Sequence, residues 1–106
     1  RTVLDQDRQP SDWIELYNAG GQAVDLKGWY LTDHPDNLTR WEFPEVRMAA
    51  GEYLLVFASG KNRVTPGAQL HTSFQLASDG EYLGLFAPDA TTATTDAVVW
   101  KWTGRL

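Results

Sequence analysis

Hydrophobic and polar residues alternate in short stretches of this chain, which is the pattern of β-strands with one buried face. The clearest stretch is residues 12–18, Asp-Trp-Ile-Glu-Leu-Tyr-Asn, where Ile14 and Leu16 fall on one face and the odd-numbered positions on the other. The residues that follow, Asn-Ala-Gly-Gly at 18–21, tolerate the backbone of a turn. The pattern therefore predicts a half-buried strand that ends in a turn.

Three further extended stretches follow in the first half of the chain. Residues 24–31 are interrupted at Gly28, where a bulge or a close backbone approach is expected. Residues 38–43 alternate loosely and stop at the proline that follows them. Residues 52–58 are apolar on both faces and too short for a lone globular helix, so they are predicted to form a central strand.

The second half of the chain continues the pattern after a polar loop at 59–69. Residues 70–76 alternate, and Asp79-Gly80 is a hairpin signal before a second apolar stretch at 81–87. Residues 98–102, Val-Val-Trp-Lys-Trp, are predicted to form the last strand. No window of about twelve residues has helical periodicity, so the chain is predicted to be an all-β sandwich or barrel.

Length and composition indicate one folded domain over residues 1–106. Hydrophobic residues make up 42% and charged residues 22%, which is typical of a globular chain. With no cysteine, the chain has no disulfide, no thiolate zinc site and no cysteine nucleophile. No signal-peptide pattern and no apolar run of roughly 20 residues is present, so membrane insertion is not expected. Because the first residue is Arg1 and not Met, we expect a domain taken from a longer protein.

Charge argues against nucleic acid as the main ligand. Nine basic and fourteen acidic residues give a net charge of −5, and the basic residues are scattered singly. A phosphate backbone is normally met by a stripe of lysine and arginine. Aromatic residues are abundant instead, with five Trp, four Tyr and four Phe, and this composition is typical of β-rich domains.

The order and spacing of these blocks resemble the lamin-tail domain in its bacterial form. The resemblance covers about residues 5–89, and residues 90–106 match no pattern of the family. The blocks that carry it are Asp12 to Asn18, Val24 to Asp33, Trp41-Glu-Phe-Pro44, Ala50-Gly51, Tyr53 to Gly60, and Leu70-His-Thr72 with Phe74.

This resemblance implies an immunoglobulin-like β-sandwich of about seven or eight strands without catalytic machinery. In nuclear lamins the domain is a protein-interaction module, and bacterial copies resemble accessory domains on secreted or surface proteins. The resemblance thus implies a non-catalytic interaction or targeting module of a larger bacterial protein, located outside the cell or on its surface. Its partner would be a protein or a cell-surface polymer, and no cofactor is implied.

An acidic loop near the N-terminus is the candidate metal site. Asp5, Asp7 and Asp12 place three carboxylates close together in sequence, and Ca²⁺ favours clustered carboxylate and carbonyl oxygens. Relatives often carry a glycine-containing acidic turn here, but Arg8 stands where that glycine would give a sharp bend, and the next two residues break a calcium-loop register. The alternative is a solvated turn in which Asp or Ser caps local amides.

No catalytic constellation is evident in the sequence. Ser59 lies in Ala-Ser-Gly-Lys, which has neither the elbow of a hydrolase nor the spacing of a phosphate loop. His34 and His71 lack a nearby metal-ligand pattern. We expect an exposed turn histidine and a hydrogen-bonded structural histidine, respectively, and no enzyme.

The aromatic residues divide into expected core and candidate ligand contacts. The pattern alone does not decide whether Trp13 and Trp41 are core residues or ligand contacts. Of these two, Trp41 is a candidate ligand contact. Trp100 and Trp102 are two apart, so they are predicted to share one strand face as a platform for a sugar ring or a peptide. This is the basis of the alternative function, a carbohydrate-binding module, although the same strand can equally cover the open end of the sandwich. The expected core aromatics are Trp29, Tyr53, Phe57, Phe74 and Tyr82.

The family usually opens with a strand before the acidic turn, whereas this chain starts inside that turn. The first strand is therefore expected to be missing or very short, which would leave the edge of a neighbouring strand exposed. The segment from Ala97 to Trp102 has strong β propensity and is predicted to cover that edge. If it crosses to a second copy instead, the result is a homodimer through the exposed strand edge.

Overall fold

A computed structural model describes residues 4–8, 12–76, 82–88 and 98–104, the last segment by its backbone only. Within these residues the chain forms nine β-strands and no helix, which confirms the all-β prediction. None of the described segments could cross a membrane as a helix. The strands are β1 (Asp12–Asn18), β2 (Val24–Asp25), β3 (Tyr30–Thr32), β4 (Trp41–Glu42), β5 (Arg47–Met48), β6 (Tyr53–Ala58), β7 (Leu70–His71), β8 (Gly84–Phe86) and β9 (Val98–Gly104).

The strands form a sandwich whose largest layer is a four-stranded sheet in the order β7-β6-β1-β9. A three-stranded sheet in the order β4-β3-β8 and a two-stranded sheet of β2 and β5 complete the described part. The core contains the inward-facing Ile14 and Leu16 of β1 together with apolar residues from the other sheets, among them Leu31 of β3 and Leu85 of β8. The predicted β-sandwich is therefore confirmed.

The centre of the large sheet is β1, which pairs antiparallel with β6 on one side and with β9 on the other. Its pairing with β9 runs from Trp13, opposite Gly104, to Asn18, opposite Val98, with a register shift between Glu15 and Leu16. The C-terminal strand of the chain thus covers one edge of β1. This confirms the prediction that the chain's own end protects that edge.

The outer face of the large sheet is buried at one end, contrary to the half-buried strand predicted for β1. Trp13 is only 3% exposed although it lies on the opposite face from Ile14. Its cross-strand neighbour is Phe57 of β6, which is also buried, and Phe57 in turn pairs with His71 of β7. A second, smaller set of buried side chains therefore lies outside the main core, and the alternation along β1 cannot reveal it.

The expected burial of aromatic residues is confirmed for Trp29, Phe57 and Phe74 but is wrong for two tyrosines. Tyr53 is 50% exposed because it starts β6 on the outer face, at the end of the sheet away from Trp13. Tyr82 is 39% exposed because it precedes β8 by two residues and has not yet entered the sheet.

The hairpin predicted around Asp79-Gly80 is wrong, because the segments on its two sides belong to different sheets. Upstream, β7 pairs parallel with β6, with Leu70 opposite Val56. Downstream, β8 pairs with β3. The dipeptide itself lies outside the described residues. Each segment buries apolar side chains in a different layer, and a pattern of period two predicts a strand without naming its partner.

The interruption predicted at Gly28 is a turn. Its φ is +82°, a conformation that glycine adopts without steric cost, and the N–H of Trp29 donates to the carbonyl of Leu26 at 2.9 Å. The stretch predicted over 38–43 is shorter than expected, since only β4 is extended and residues 38–40 form turns.

Candidate functional site

Four charged side chains join the N-terminal loop to the loop that follows β6. Lys61 Nζ lies 2.5 Å from Asp5 Oδ2 and 2.9 Å from Asp7 Oδ2. Arg63 Nη2 lies 2.8 Å from the same Asp7 oxygen. We call Asp5, Asp7, Lys61 and Arg63 the ionic cluster. It binds two segments that are distant in sequence, and charge-assisted hydrogen bonds of this kind are stronger than neutral ones.

The backbone of the N-terminal loop is bent so that both carboxylates meet Lys61. The Asp7 N–H donates to Asp5 Oδ1 at 2.8 Å, and the Arg8 N–H donates to the Asp5 carbonyl at 2.9 Å. Arg8 has a φ of 60°, so the bend expected of a glycine is made by an arginine. The N–H of Gln6, the residue between the two aspartates, donates to Gln69 Oε1 at 2.7 Å. This bond holds the middle of the loop in place.

Mutual neutralisation sets the electrostatics of the ionic cluster. Two hydrogen bonds lower the pKa of Asp7 to about 2, and the one from Arg63 has a larger effect than the one from Lys61. The hydrogen bonds from Lys61 to Asp5 and Asp7 raise the pKa of Lys61, and the bond to Asp5 has the larger effect. The carboxylate of Asp5 is fully buried, so the expectation of a solvated turn is wrong for this residue, whereas the expected capping of a local amide is confirmed.

The candidate metal ligands are only partly brought together. Asp5 and Asp7 share Lys61, whereas Asp12 lies on β1 opposite Ala58. In the part of the chain that the structure describes, no group of three or more His, Cys, Asp or Glu side chains is placed to hold a metal ion. A cation at Asp5 and Asp7 would have to compete with the lysine and the arginine already bound there. The expectation of no cofactor, with Ca²⁺ as the alternative, stays a prediction.

A contact between a serine and a histidine, which the sequence did not reveal, lies beside the ionic cluster. Ser59 Oγ is 2.8 Å from His71 Nδ1 and accepts the Lys61 N–H at 3.1 Å. The imidazole stacks on Phe57 with 5.2 Å between ring centroids. The backbone of His71 also exchanges two hydrogen bonds of 3.0 Å with Arg63. A histidine within the alternating stretch 70–76 was the one sequence signal for a buried polar contact.

His71 is placed for structure and not for acid–base chemistry. It is fully buried, and within the described residues its Nε2 has no hydrogen-bond partner. Burial, followed by the nearby charge of Arg63, lowers the pKa of His71, so the imidazole is neutral at pH 7. A general base must reach a substrate proton, and this ring has no access to one. The expected structural role of His71 is confirmed, as is the exposed turn position of His34.

Of the candidate ligand-binding tryptophans, Trp41 is buried at 3% exposure. Its Nε1 donates to Asn62 Oδ1 at 3.1 Å, and its ring meets Phe43 edge-on at 4.8 Å. A ring enclosed in this way does not offer the open face that sugar stacking requires. The Cα partners of Trp100 and Trp102 are Leu16 and Glu15, neighbours on β1, because the register shift lies between them. The predicted platform assumed that the two side chains share one face through strict alternation, which the register shift interrupts. The side chains themselves lie outside the described residues, so the platform stays a prediction.

An aromatic pair with one half-exposed ring, on the outer face of the large sheet, was not predicted. Tyr53 of β6 lies opposite Tyr17 of β1, with ring centroids 4.7 Å apart and planes inclined by 34°. Tyr53 is half-exposed, and Leu55, next on the same face, is partly buried. The alternation of β1 had already placed Tyr17 on the outer face, and that was the available signal.

Comparison with known proteins gives one family. A family model described as Lamin Tail Domain matches residues 2–101. The matched range extends past residue 89 and includes the first four residues of β9. No curated protein and no solved structure matches the chain.

Proposed function

The chain belongs to the lamin tail domain family, and from this premise we propose that it is a non-catalytic interaction or targeting module of a larger protein. Family membership assigns the immunoglobulin-like β-sandwich to the strands described above and suggests an interaction module. The family match is the observation that carries the proposal.

The state of the Ser59–His71 pair supports a non-catalytic role. A serine nucleophile works with a histidine that faces the substrate, and here the imidazole is fully buried and stacks on Phe57. The nearby carboxylates of Asp5 and Asp7 pair with the side chains of Lys61 and Arg63 instead of with the histidine.

The proposed partner is a protein or a cell-surface polymer. The parent protein is proposed to be bacterial and secreted or surface-attached, which is what the resemblance to the bacterial form of the domain suggests. The net charge of −5 and the scattered basic residues support a partner other than nucleic acid.

The test uses the whole domain fused to a fluorescent reporter protein. We expect saturable retention of the fusion on bacterial cells or on isolated cell-wall material, above that of the reporter alone. A parallel assay offers chromogenic esters, phosphodiesters and glycosides to the wild type and to Ser59→Ala. Turnover that is lost in Ser59→Ala would show an enzyme, and retention equal to the reporter would contradict the targeting role.

A second candidate function, carbohydrate binding, is favoured by the half-exposed ring of Tyr53. Exposed aromatic rings stack on sugar rings, and Tyr53 is 50% exposed while its ring contacts that of Tyr17. Trp100 and Trp102 remain proposed contributors to such a surface.

The carbohydrate proposal is tested by affinity electrophoresis of the domain in gels that contain soluble glucans, xylans or chitosan. Tyr53→Ala should abolish any retardation, whereas Tyr82→Ala, at a tyrosine of similar exposure before β8, should leave it unchanged. Equal migration of the wild type in every gel would contradict carbohydrate binding while leaving a protein partner in place.

A further inference from the structure

We propose that Lys61, Arg63 and Gln69 form a receptor for an acidic peptide of the type Asp-x-Asp, and that the N-terminal loop of the chain is its resident occupant. The inference deepens the proposed interaction function, on which it rests, by naming the chemistry of one partner. We call these three side chains the carboxylate receptor.

The N-terminal loop is held by the contacts that a bound peptide would make. Lys61 lies between the two carboxylates of Asp5 and Asp7, and Arg63 binds the second of them. Gln69 accepts the backbone N–H of the residue between them. The side chain of that middle residue, Gln6, is exposed and takes no part in these contacts, so the receptor recognises two acids separated by any residue.

The arrangement favours a peptide over an acidic polysaccharide. Lysine and arginine bind carboxylates from either source. Gln69 Oε1, however, accepts a peptide N–H placed midway between the two acids. The spacing is also set by peptide geometry, because the Asp7 N–H bonds back to the Asp5 carboxylate in a local turn.

A free peptide can begin to displace the N-terminal loop at Asp7, the second of its two acidic residues. The side chains of Asp7 and Arg63 are each 38% exposed, and that of Lys61 is 22% exposed, so an incoming carboxylate can reach the arginine first. Release of the loop also frees Arg8 from a backbone conformation that is unfavourable for a residue with a side chain. Because the resident is tethered, a free peptide has to compete with its high effective concentration.

Replacing the resident acids should therefore expose the receptor. In Asp5→Asn/Asp7→Asn the loop keeps its length and amides but loses both charges. The probe is a fluorescein-labelled peptide with the sequence of residues 4–8, Leu-Asp-Gln-Asp-Arg. The control peptide carries asparagine at both acids. Binding is measured by fluorescence polarisation at low salt, after near-UV circular dichroism has shown that the variant is folded.

We expect the acidic peptide to bind the double variant saturably. Its affinity for the double variant should be at least about tenfold higher than its affinity for the wild type. It should also be at least about tenfold higher than the affinity of the control peptide for the double variant. Adding Lys61→Gln/Arg63→Gln should abolish binding of the acidic peptide. If the double variant does not fold, Asp7→Asn alone, which changes a partly exposed side chain, takes its place. No saturable binding at millimolar peptide would overturn the receptor.

Two further arms separate the alternatives. A carboxylated polysaccharide that binds the double variant as tightly as the peptide would overturn the assignment to a peptide. The reporter fusion carrying Lys61→Gln/Arg63→Gln is also tested for retention on cells. Failure of peptide binding together with unchanged retention would reject the receptor and leave the proposed interaction function standing.

Discussion

Ser59 Oγ lies 2.8 Å from Nδ1 of His71, and this contact ties the end of β6 to the strand that runs parallel to it. The parallel pairing covers only two residue pairs, Val56 with Leu70 and Phe57 with His71. A side-chain hydrogen bond at its end therefore strengthens a short connection. The cost is a buried imidazole with one ring nitrogen unpaired within the described residues.

The first prediction follows from this imidazole. Its folded-state pKa is lower than the ordinary value of 6.5, so below that pH the unfolded chain binds a proton more readily than the folded one. Stability should therefore be at its full value above pH 6.5 and should fall as the pH decreases toward the folded-state pKa. Urea denaturation at a series of pH values between about 7 and 5 measures this slope.

Two variants assign the slope to its residue. His71→Phe should remove the pH dependence in this range, whereas His34→Gln, at the exposed histidine, should retain it. Asp7 acts in a separate window, because its pKa of about 2 means that its contribution is lost only below its ordinary value of 3.8. A slope that persists in His71→Phe would show that another group titrates.

The second prediction concerns the main core. Trp29 is 8% exposed and packs in the cluster that contains Leu26 and Leu31. Trp29→Ala should lower the free energy of unfolding by about 3–5 kcal/mol, the range for truncation of a buried aromatic side chain. Tyr53→Ala is the matched control and should cost clearly less. A urea midpoint that does not move in Trp29→Ala would mean that the ring is not in the core.

Local pattern predicted an extended stretch at every described strand except β5, but it did not predict which strands pair. The alternation of Ile14 and Leu16 predicts β1 and its inner face because those positions depend only on the chain itself. Whether Trp13 is buried depends on what covers the outer face, which is a long-range property. The failed hairpin has the same cause, since the strand partner of each segment is selected by the layer in which it buries its apolar side chains.

The candidate site was predictable only in its parts. The acidic loop and the polar segment 59–69 were each evident in the sequence, whereas the bend at Arg8 was not, because the sequence has an arginine where a glycine would be expected to bend. Their meeting was not, because Asp5 and Lys61 are 56 positions apart and no local periodicity links them. The result is a cluster that is neutralised by basic residues instead of a set of uncompensated carboxylates.

The third prediction contrasts two residues with positive φ. Arg8 has a φ of 60° and Asn62 a φ of 52°. Arg8→Gly should stabilise the domain by about 0.5–1 kcal/mol, because relief of backbone strain exceeds the entropy lost by glycine. Asn62→Gly should destabilise it by about 1–3 kcal/mol, because Trp41 Nε1 loses its acceptor. Chemical denaturation of both variants checks the opposite signs, and equal signs would contradict this account.

The fourth prediction concerns the metal. Since Lys61 and Arg63 already neutralise Asp5 and Asp7, neither Ca²⁺ nor EDTA should change the Tm of the wild type. Asp5→Ala should lower the free energy of unfolding by about 1.5–3 kcal/mol, because the partly buried, charge-assisted hydrogen bond with Lys61 is lost. A Tm that falls by many degrees in EDTA and returns with Ca²⁺ would establish a calcium site.

The fifth prediction concerns the C-terminal strand. β9 pairs along β1, so a chain that ends at Thr95 lacks the strand that covers this edge. Unpaired N–H and C=O groups on β1 would then be open to another strand. We expect the shortened chain to be less stable in urea than a control chain that ends at Gly104 and retains all of β9.

The same truncation should change the state of association. Two copies with an uncovered β1 can pair edge to edge with two-fold symmetry, so the mass of the shortened chain should rise with concentration toward a dimer. The control chain keeps β9 on β1 and should show a smaller rise or none. Light scattering over a dilution series up to high micromolar concentration measures both. If the chain ending at Thr95 stays monomeric and keeps its stability, the pairing of β9 with β1 contributes nothing to the fold, and the uncovered edge does not recruit a second copy.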